Sequence, residues 1–477
     1  SSFKNKIDFK YLPEVNFFAI VFSKTIDSES IYKGVKIMLK KIMLFFAGLT
    51  LASTVTLAGD NILPYQLKSG KPYAGTTLNI LAVVTPQFKA YELRDEEFES
   101  LTGIKLNWTH TPFVALQEKV SSVGVAADGS FDVVNYLDSW GPSYAYWLEP
   151  IDAWLKRDGI DMNRYPEAFK KSAMFKGETL GFPLRAHPQL MFYRKDLFDK
   201  HNLQAPKSWS DVVSAGKTIK SKEGIGGLAC YYGSDGNRQN LFIWLNFLWA
   251  AGADVFDSQM KPAWTTSAGL KATRDYIDLH TKHGICGEGA VSNVEQDARI
   301  QYAQGKAAMI PVWWWAYSGF YNPNQSTLSK DQVAFAGMPA YMGKTVTYAI
   351  SMPYSISKYS KNKEAAWEFM KWLSNPELDR RNAIEREVAG TKIVNNVVTH
   401  TSSMLDAEVN AANDNIQQAA AASLKNSDIM PQIPEWPEVG DLLASAIQKA
   451  STGGDVDQLM KDAAKKAERI LRRAGYY

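Results

Sequence analysis

The sequence contains few of the residues that build metal and redox sites. Its 477 residues include two cysteines and six histidines, and the histidines form no cluster. Two cysteines cannot supply a disulfide-rich scaffold or a four-thiolate zinc site. The charge is nearly balanced, with 53 basic and 50 acidic residues and no basic stripe. This charge balance gives no electrostatic support for a nucleic-acid partner. Because cysteine and histidine are scarce, we also expect no metal, and we expect no cofactor.

The sequence also lacks an apolar run long enough to span a bilayer. The longest candidate, residues 42–57, follows Lys40 and Lys41 and ends in small residues at Ala58. Sixteen residues fall short of the ~20 that a spanning helix needs. The order of basic, apolar and small residues predicts a signal peptide that starts at Met38 and is cleaved after Ala58, so that residues 1–58 are upstream sequence and leader. A permanent N-terminal anchor is the alternative.

The sequence after residue 58 is nearly neutral and rich in tryptophan. Eight of the 53 basic and four of the 50 acidic residues precede residue 59, which leaves 45 and 46. About 419 residues remain, enough for two lobes of roughly 200 residues each. All fourteen tryptophans lie in this part, and we expect most in the core and some at a binding surface. Export to the periplasm would also permit a Cys230–Cys286 disulfide.

Alternating strand and helix patterns predict an α/β fold. Strands are predicted at residues 77–84, 104–108 and 131–137, and helices at 88–101 and 113–123. We expect Pro86 to end the first strand and Gly103 to cap the first helix. The rhythm indicates βαβ units and a mainly parallel sheet, with ligands beyond the carboxyl ends of its strands.

Helices are also predicted in the second half of the chain. Ser210 and Asp211 can cap a helix after Trp209, and Thr265 or Thr266 can cap one at residues 266–280. Ala- and Lys-rich stretches predict helices at 407–424 and 454–473. The chain shows no internal repeat and no low-complexity linker. We therefore expect crossing strands, not a flexible tether, between the lobes.

Five stretches match a known family in that family's own order. They are TGIK (102–105), YRKDLF with APKSW (193–209), GKAAM (305–309), KNKEAAWEF with SNPE (361–377) and IMPQIP (429–434). Over residues 76–477 the chain thus resembles the family-1 extracellular solute-binding proteins of ABC transporters, and in particular their maltose-binding, sugar-type members.

The resemblance implies a type II periplasmic binding protein fold. In this α/β fold a solute lies in a cleft between two lobes, and crossover hinge strands let the lobes close over it. The crossovers are expected near residues 186–190, 335–349 and 388–393. Lobe 1 would comprise residues 59–186 and 345–390, and lobe 2 residues 187–344 and 391–477. The closed monomer would dock on inner-membrane ABC permease subunits. A separate ATPase would supply the energy, because the chain has no G-x-x-x-x-G-K-[ST] loop.

A tryptophan-rich segment is the most informative candidate for the site. It follows the GKAAM stretch, and in sugar-binding relatives the same stretch ends in a tryptophan that stacks on the ligand, a position that Trp315 matches. Alternation along a strand would place Trp313 and Trp315 on one face and Trp314 on the other. Trp314 and Trp315 are therefore candidate ligand-binding residues, and core packing is the alternative for both.

Three further candidates follow from strand ends and the first crossover. Asp138 lies at the carboxyl end of a strand, where a carboxylate can accept hydrogen bonds from sugar hydroxyls; the neighbouring Tyr136 is the other candidate there, and Asp138 could instead be a helix N-cap. His187 matches a ligand-contacting acidic position of the maltose-binding relative. A histidine departs from that pattern, which counts against maltose and leaves a structural role open.

Four more side chains complete the candidate site. Gln87 lies in the first strand-to-helix loop, where an amide could bind hydroxyls or simply be solvated. Arg238 could make charge-assisted bonds to a solute or be a solvated loop arginine. Trp436 follows a stretch that forms the C-terminal cleft wall in the family, and core packing is the alternative for it. Tyr348, which follows the second expected crossover strand, is a further candidate.

Two other functions are compatible with the sequence. One is binding of a non-sugar solute such as a polyamine, a peptide or an organic acid. The other is an exported carbohydrate-active enzyme, but no carboxylate pair is singled out and the G-x-S-x-G, H-E-x-x-H and C-x-x-C motifs are missing. We therefore expect a binding protein for a sugar or polyol, with no catalytic residues.

Overall fold

The computed structural model describes residues 62–235, 237–393 and 395–477, with the backbone alone for Ile62 and residues 86–88. The expected leader at residues 1–58 lies outside the described residues. Among the described helices, none combines the length and the apolar character needed to cross a membrane.

The described chain alternates short strands with helices. The strands are β1 Ile62–Leu63, β2 Leu67–Lys68, β3 Thr77–Val83, β4 Lys105–Thr111, β5 Val133–Asn135, β6 Met174–Phe175, β7 Glu178–Thr179, β8 His187–Arg194, β9 Met309–Trp313, β10 Val333–Ala336, β11 Thr347–Ile350, β12 Tyr354–Ile356, β13 Glu387–Val388, β14 Thr391–Lys392 and β15 Ser427–Asp428.

The α-helices pack around these strands and differ widely in length. They are α1 Pro86–Glu92, α2 Asp95–Thr102, α3 Phe113–Ala126, α4 Gly141–Tyr144, α5 Asp152–Asp158, α6 Glu167–Ser172, α7 Lys195–Lys200, α8 Trp209–Glu223, α9 Leu241–Ala250, α10 Ser267–Thr281, α11 Glu295–Ala303, α12 Lys363–Leu373, α13 Pro376–Ile384, α14 Thr401–Leu405, α15 Ala407–Ala412, α16 Ile416–Leu424, α17 Trp436–Ser451 and α18 Val456–Arg473. The 3₁₀ helices are Pro64–Gln66, Asp138–Trp140, Met162–Arg164, Trp314–Tyr321 and Lys330–Gln332.

The first sheet has the strand order β12-β5-β3-β4. β3 pairs in parallel with both β4 and β5, as the βαβ pattern predicts, and β12 adds an antiparallel edge. Parallel neighbours need a crossover between them. α1 and α2 lie in the connection from β3 to β4, and α3 lies in the connection from β4 to β5, which pairs with β3 on its other side. The carboxyl ends of β3 and β4 therefore open at the same edge of the sheet.

The second sheet has the order β10-β8-β11-β15, with β9 also paired to β8. β8 pairs antiparallel with β9, β10 and β11, and only β11 and β15 run in parallel. The expectation of a mainly parallel sheet thus holds for the first sheet and is wrong for the second. The reason is topological, because β9, β10 and β11 return to β8 only after the helices α7 to α11 and pair with it antiparallel, so none of these pairs forms a βαβ unit.

Two chain segments run side by side between the sheets. Phe182 exchanges backbone hydrogen bonds with Tyr354, and the Met352 amide donates to the Leu184 carbonyl oxygen. β11 belongs to the second sheet and β12 to the first, so the chain changes sheets between Ile350 and Tyr354. The lobe bounds given above stay predictions.

The helix between β3 and β4 is broken in two, although a single helix is expected at 88–101. α1 begins at Pro86, which therefore starts a helix instead of ending the strand, and α2 ends at Gly103 in the left-handed conformation (φ 72°), as expected. The break falls at Arg94, whose buried Nε donates to Asn382 Oδ1 at 2.8 Å and whose Nη2 pairs with Glu385. A contact almost 300 residues away decides this break, and no local pattern contains it.

Other helix boundaries follow capping chemistry. Ser208, not Ser210, is the N-cap of α8, and Asp211 completes its capping box. Thr266 caps α10, as expected. The stretch expected as one helix at 407–424 is divided into α15 and α16 by Asn415, which adopts φ 61°. α17 was not expected from the sequence.

The tryptophans are mostly core residues. Ten of the fourteen are buried, and one contiguous apolar cluster includes residues of both sheets. Cys230 and Cys286 form a disulfide with a Cα–Cα distance of 5.5 Å. Both cysteines are buried beside the bridge between Leu228 and Cys286, so the disulfide joins the segment that follows α8 to the segment that follows α10.

Candidate functional site

A cavity of about 610 Å³ lies where the two sheets face each other. The first sheet contributes the residues that follow β3 and β4, which are the carboxyl ends of parallel strands. The second sheet contributes β9 and the helices around it, and the paired connecting segments form the floor. The lining includes Val83, Val84, Thr85, Pro112, Phe113, Val114, Arg185, His187, Gln239, Phe242, Glu295, Arg299, Trp313, Trp315, Ile350 and Met352.

Two basic side chains form the wall at the first connecting segment. Arg185 and His187 are two residues apart, and both line the cavity. Burial lowers the pKa of Arg185 to about 10, and the pKa of His187 lies well below its usual value because of burial and the nearby Arg185 charge. His187 is therefore neutral at physiological pH, while Arg185 keeps its charge.

The indole of Trp314 fixes the tautomer of His187. Trp314 Nε1 donates to His187 Nδ1 at 3.1 Å, and an indole nitrogen can only donate. Nδ1 must then be the acceptor nitrogen, so the proton of the neutral ring lies on Nε2. His187 Nε2 is buried without a hydrogen-bond partner. The ring consequently presents a free N–H donor.

Trp315 lies opposite His187 and is partly covered by a charged pair. Its ring centroid is 6.3 Å from that of His187 and 4.7 Å from Arg299 Cζ. Arg299 Nε in turn donates to Glu295 Oε1 at 2.6 Å, and the Glu295 amide donates to Gln239 Oε1. One face of the indole thus packs on a guanidinium. The segment combines an aromatic surface with paired polar groups, which suits a ligand that has both apolar and hydroxylated parts.

A second cavity of about 480 Å³ continues from the first. Trp315, Gly319 and Gln325 line both cavities, and the second is otherwise lined by residues of α1, the 3₁₀ helix Trp314–Tyr321 and the segment from Thr391 to Asn395. Trp315 therefore stands between two parts of one long cleft. Within the described residues, no group of three His, Cys, Asp or Glu side chains is arranged to hold a metal ion.

Comparison with known proteins gives the family. The sequence pattern of the family described as "Bacterial extracellular solute-binding protein" matches residues 82–379. The chain belongs to this family. A mannitol-binding protein of Pseudomonas aeruginosa is 25% identical over 401 residues, which cover 79% of this chain and 89% of that protein.

Solved structures of the same family agree in fold with this solute-binding protein. A solute-binding protein of Agrobacterium vitis with bound D-mannitol has a TM-score of 0.70 at 25% identity, covering 84% of this chain and 99% of that one. Maltose-bound MalE3 of T. maritima has a TM-score of 0.73 at 21% identity, covering 83% and 100%. The fold is thus the two-lobed α/β fold of periplasmic binding proteins.

Of the nine candidate residues, His187 and Trp315 line the cavity. Trp314 does not, because its ring turns into the core behind His187. Trp313 and Trp315 thus share one face and Trp314 takes the other, as expected, although β9 ends at Trp313 and a 3₁₀ helix begins at Trp314. Trp313 does line the cavity and packs against Phe242 and Tyr348.

Asp138 and Tyr136 are buried behind the cleft of the solute-binding protein. Asp138 Oδ2 accepts from the Ser351 amide at 2.9 Å, and Oδ1 accepts from the Ser139 amide at 2.6 Å. Tyr136 shares a hydrogen bond of 3.0 Å with Ser355 Oγ. Both side chains therefore join the first sheet to the segment that runs into β12, and they lie outside the lining of the cavity.

Arg238 is an internal tie between helices. Its Nη1 donates to Asp441 Oδ1 at 2.7 Å and its Nη2 to Gln117 Oε1 at 3.0 Å. Gln117 belongs to α3 and Asp441 to α17. The guanidinium is thus bonded within the protein, and it is absent from the lining of the cavity.

The other candidates lie in the core or outside the described side chains. Trp436 is fully buried, with its Nε1 against Met430 Sδ. Tyr348 is fully buried behind Trp313 and Phe242. The side chain of Gln87 lies outside the described residues, and its backbone is part of α1. The ligand-binding roles assigned to these residues from the sequence stay predictions.

Several polar lining residues of the solute-binding protein were not among the sequence candidates, including Arg185, Gln239, Glu295 and Arg299. Glu295 and Arg299 are four apart on α11, a spacing typical of any helical ion pair and therefore uninformative about a cleft. Arg185 is the one that carried a usable signal. It lies two residues before His187, a sequence candidate, in the segment expected to contain the first crossover.

Proposed function

We propose that this protein is the periplasmic component of an ABC importer and captures a sugar or polyol in the cleft between its two sheets. The observation that carries the proposal is a cavity of about 610 Å³ lined by Trp313 and Trp315 beside Gln239 and Glu295. Sugars and polyols have C–H surfaces that pack on aromatic rings and hydroxyls that need paired donors and acceptors. The lining offers both.

Exposed apolar side chains on both walls support closure over the solute. Val84 and Val114, on the side of the first sheet, are 56% and 67% exposed, and Ile300 on α11 is 43% exposed. All three line the cavity. Burying them as the lobes approach would release about 25 cal/mol per Å² of apolar surface. The paired connecting segments would act as the hinge, and the closed form would be recognised by the permease.

The comparisons support the solute class and the compartment. The mannitol-binding protein of Pseudomonas aeruginosa and the Agrobacterium vitis structure with D-mannitol are both 25% identical to this chain. The basic and apolar segment that ends at Ala58 is consistent with export to the periplasm. The lobe bounds expected from the sequence, 59–186 with 345–390 and 187–344 with 391–477, are part of the proposal.

Isothermal titration calorimetry tests the solute class. The purified protein would be titrated with mannitol, ribitol, maltose, galactose, a polyamine and a dipeptide. We expect at least one hydroxylated solute to bind at micromolar concentration or tighter. Tight binding of the amine or the peptide, with no response to any hydroxylated solute, would overturn the proposal.

The Trp315→Ala variant tests the position of the site. We expect binding of the solute identified by calorimetry to weaken at least tenfold, because the aromatic surface is lost. The melting temperature should change little, because Trp315 is only partly buried. Trp249→Ala is the matched control, since Trp249 is another partly buried tryptophan and lies outside the lining of the cavity. Equal affinities of the two variants would contradict the assignment.

A further inference from the structure

Arg185 forms no ion pair with a carboxylate in the described part of the chain, although the Glu295 carboxylate is near enough to act on its charge. No ion pair of the described residues includes it, its Nε is buried without a hydrogen-bond partner, and its Nη1 donates only to Met352 Sδ, a weak acceptor. Arg185 also adopts φ 51°, a conformation uncommon for residues other than glycine. Such a conformation persists only where the surrounding structure imposes it, and this occurs often at ligand sites.

His187 adds a second unused donor to the same wall. Its Nε2–H is buried and without a partner, because Trp314 occupies Nδ1. Arg185 and His187 both line the cavity, so these two buried donors belong to residues in the wall of the space where the solute would lie. A buried donor without an acceptor is costly, and a ligand that supplies the acceptor removes this cost.

The whole cleft carries an excess of positive charge. Its two cavities are lined by four cationic side chains, Arg185, Arg299, Lys89 and Lys392, and by a single carboxylate, Glu295. Arg299 forms an ion pair with Glu295, and Lys89 forms one with Glu92, with 3.3 Å between Lys89 Nζ and Glu92 Oε2. Arg185 and Lys392 are left without such partners among the described residues. Clefts lined by charge of one sign concentrate ligands of the opposite sign.

We propose that the solute carries a carboxylate, which Arg185 and His187 bind, and that the preferred ligand is an acidic sugar such as an aldonate or a uronate. This inference rests on the proposed function and narrows its solute class. A neutral hydroxyl could accept from one donor, but it would add no negative charge, and the nearby Glu295 carboxylate is already bonded to Arg299. A carboxylate accepts two charge-assisted bonds and neutralises that charge.

Matched ligand pairs test the inference by calorimetry. D-mannonate would be compared with D-mannitol, and D-galacturonate with D-galactose, so that each pair differs in one carboxylate. We expect an acid to bind at least tenfold more tightly than its neutral partner, and the difference to shrink with added salt. Neutral members that bind as well as the acids would overturn this inference and keep the proposed function. Binding of succinate or an amino acid alone would overturn both.

Variants of Arg185 locate the carboxylate. Arg185→Gln should weaken binding of the acid at least tenfold and binding of its neutral partner less than threefold. Arg185→Lys keeps the charge without the planar fork, so it should retain an intermediate affinity for the acid. Arg469→Gln, which removes an exposed charge on α18 outside the cleft, is the control and should bind as the wild type does. A thermal melt of each variant reports folding. Equal losses for the acidic and neutral ligands in the Arg185 variants would overturn the assignment.

Discussion

Asp138 is a carboxyl group with no solvent contact at the junction of the two sheets. Burial raises its pKa to about 7, although the Ser351 and Ser139 amides that donate to it act in the opposite direction. A carboxyl group in this setting keeps its proton at pH values where the unfolded chain has lost it. Its protonation therefore contributes to stability below neutral pH.

We predict a pH-dependent stability difference between the wild type and Asp138→Asn. The folded pKa of Asp138 lies above the unfolded value of about 3.9, so this contribution is complete below pH 4 and is lost as the pH rises through 7. The melting temperature of the neutral variant, relative to that of the wild type, should therefore increase between pH 5 and pH 8. Thermal unfolding followed by circular dichroism measures this difference.

Asp331→Asn provides the control for that experiment, because Asp331 is exposed on the surface. Its melting temperature relative to the wild type reports the effect of removing one surface charge. A difference for Asp138→Asn that stays flat from pH 5 to pH 8, or follows that of Asp331→Asn, would show that the Asp138 carboxyl group titrates as an ordinary surface group.

The helices of the two halves are tied through Arg238. This side chain, 5% exposed, connects Gln117 on α3 with Asp441 on α17. α17 approaches the guanidinium closely at Gly440, where a Cβ atom would lie 2.6 Å from Arg238 Cδ. A glycine in the helix thus makes room for the arginine. The tie depends on three segments that are distant in sequence.

We predict that Arg238→Ala lowers the free energy of unfolding by about 1–3 kcal/mol, since it leaves Gln117 and the Pro437 carbonyl oxygen without their donor. Asp441→Asn should cost less than about 1 kcal/mol, because the Asp441 side chain is 67% exposed and solvent screens the pair. Urea denaturation of the two variants measures both values. Equal losses would mean that the exposed ion pair alone stabilises this contact.

Broken helices and shortened strands are the elements that sequence patterns predicted least well. The segment predicted as a helix at 88–101 breaks because Arg94 reaches Asn382, and the predicted run of β-structure through the tryptophans stops at Trp313. In contrast, β3 was predicted to within one residue, and the capped start of α10 was predicted correctly. Caps and apolar alternation are local signals. The hydrogen bond from Arg94 to Asn382, 288 residues away, is not a local signal.

At the scale of the whole molecule, one covalent link restricts the middle of the chain. The Cys230–Cys286 disulfide spans 56 residues of sequence and joins two buried segments. Cross-linking a loop of this length reduces the conformational entropy of the unfolded chain, a stabilising effect of about 4 kcal/mol in the chain-entropy view.

We predict that removing the disulfide lowers stability without changing the fold. The Cys230→Ala and Cys286→Ala double variant should unfold at a lower denaturant concentration than the oxidised wild type. Wild-type protein that is unfolded, reduced and refolded should behave like the variant, and reductant should leave the variant itself unchanged. Urea unfolding followed by tryptophan fluorescence measures all four samples. A reduced wild type as stable as the oxidised one would contradict the prediction.

The candidate site shows how far sequence could lead. His187 and Trp315 line the cavity, and both were proposed from their place in a resemblance and in a short segment. Asp138, Arg238 and Trp436 are instead bonded or packed inside the protein. The type of a residue and its position in the sequence indicate that it makes contacts, whether it lines the cavity or lies inside the protein. Only the three-dimensional partners show whether those contacts are internal.

The sequence by itself determined the family, the α/β class and the parallel core of the first sheet, because these depend on local motifs, caps and apolar periodicity. The tertiary structure alone decided the antiparallel pairing around β8 and the composition of the cleft. The cleft combines residues from strand ends, connecting segments and a helix, and its lining extends from Val83 to Met352, 269 residues apart. Burial and hydrogen-bond satisfaction depend on which segments meet in space, and this is why Arg185 lines the cleft without an ion pair among the described residues while Arg238 is an internal tie.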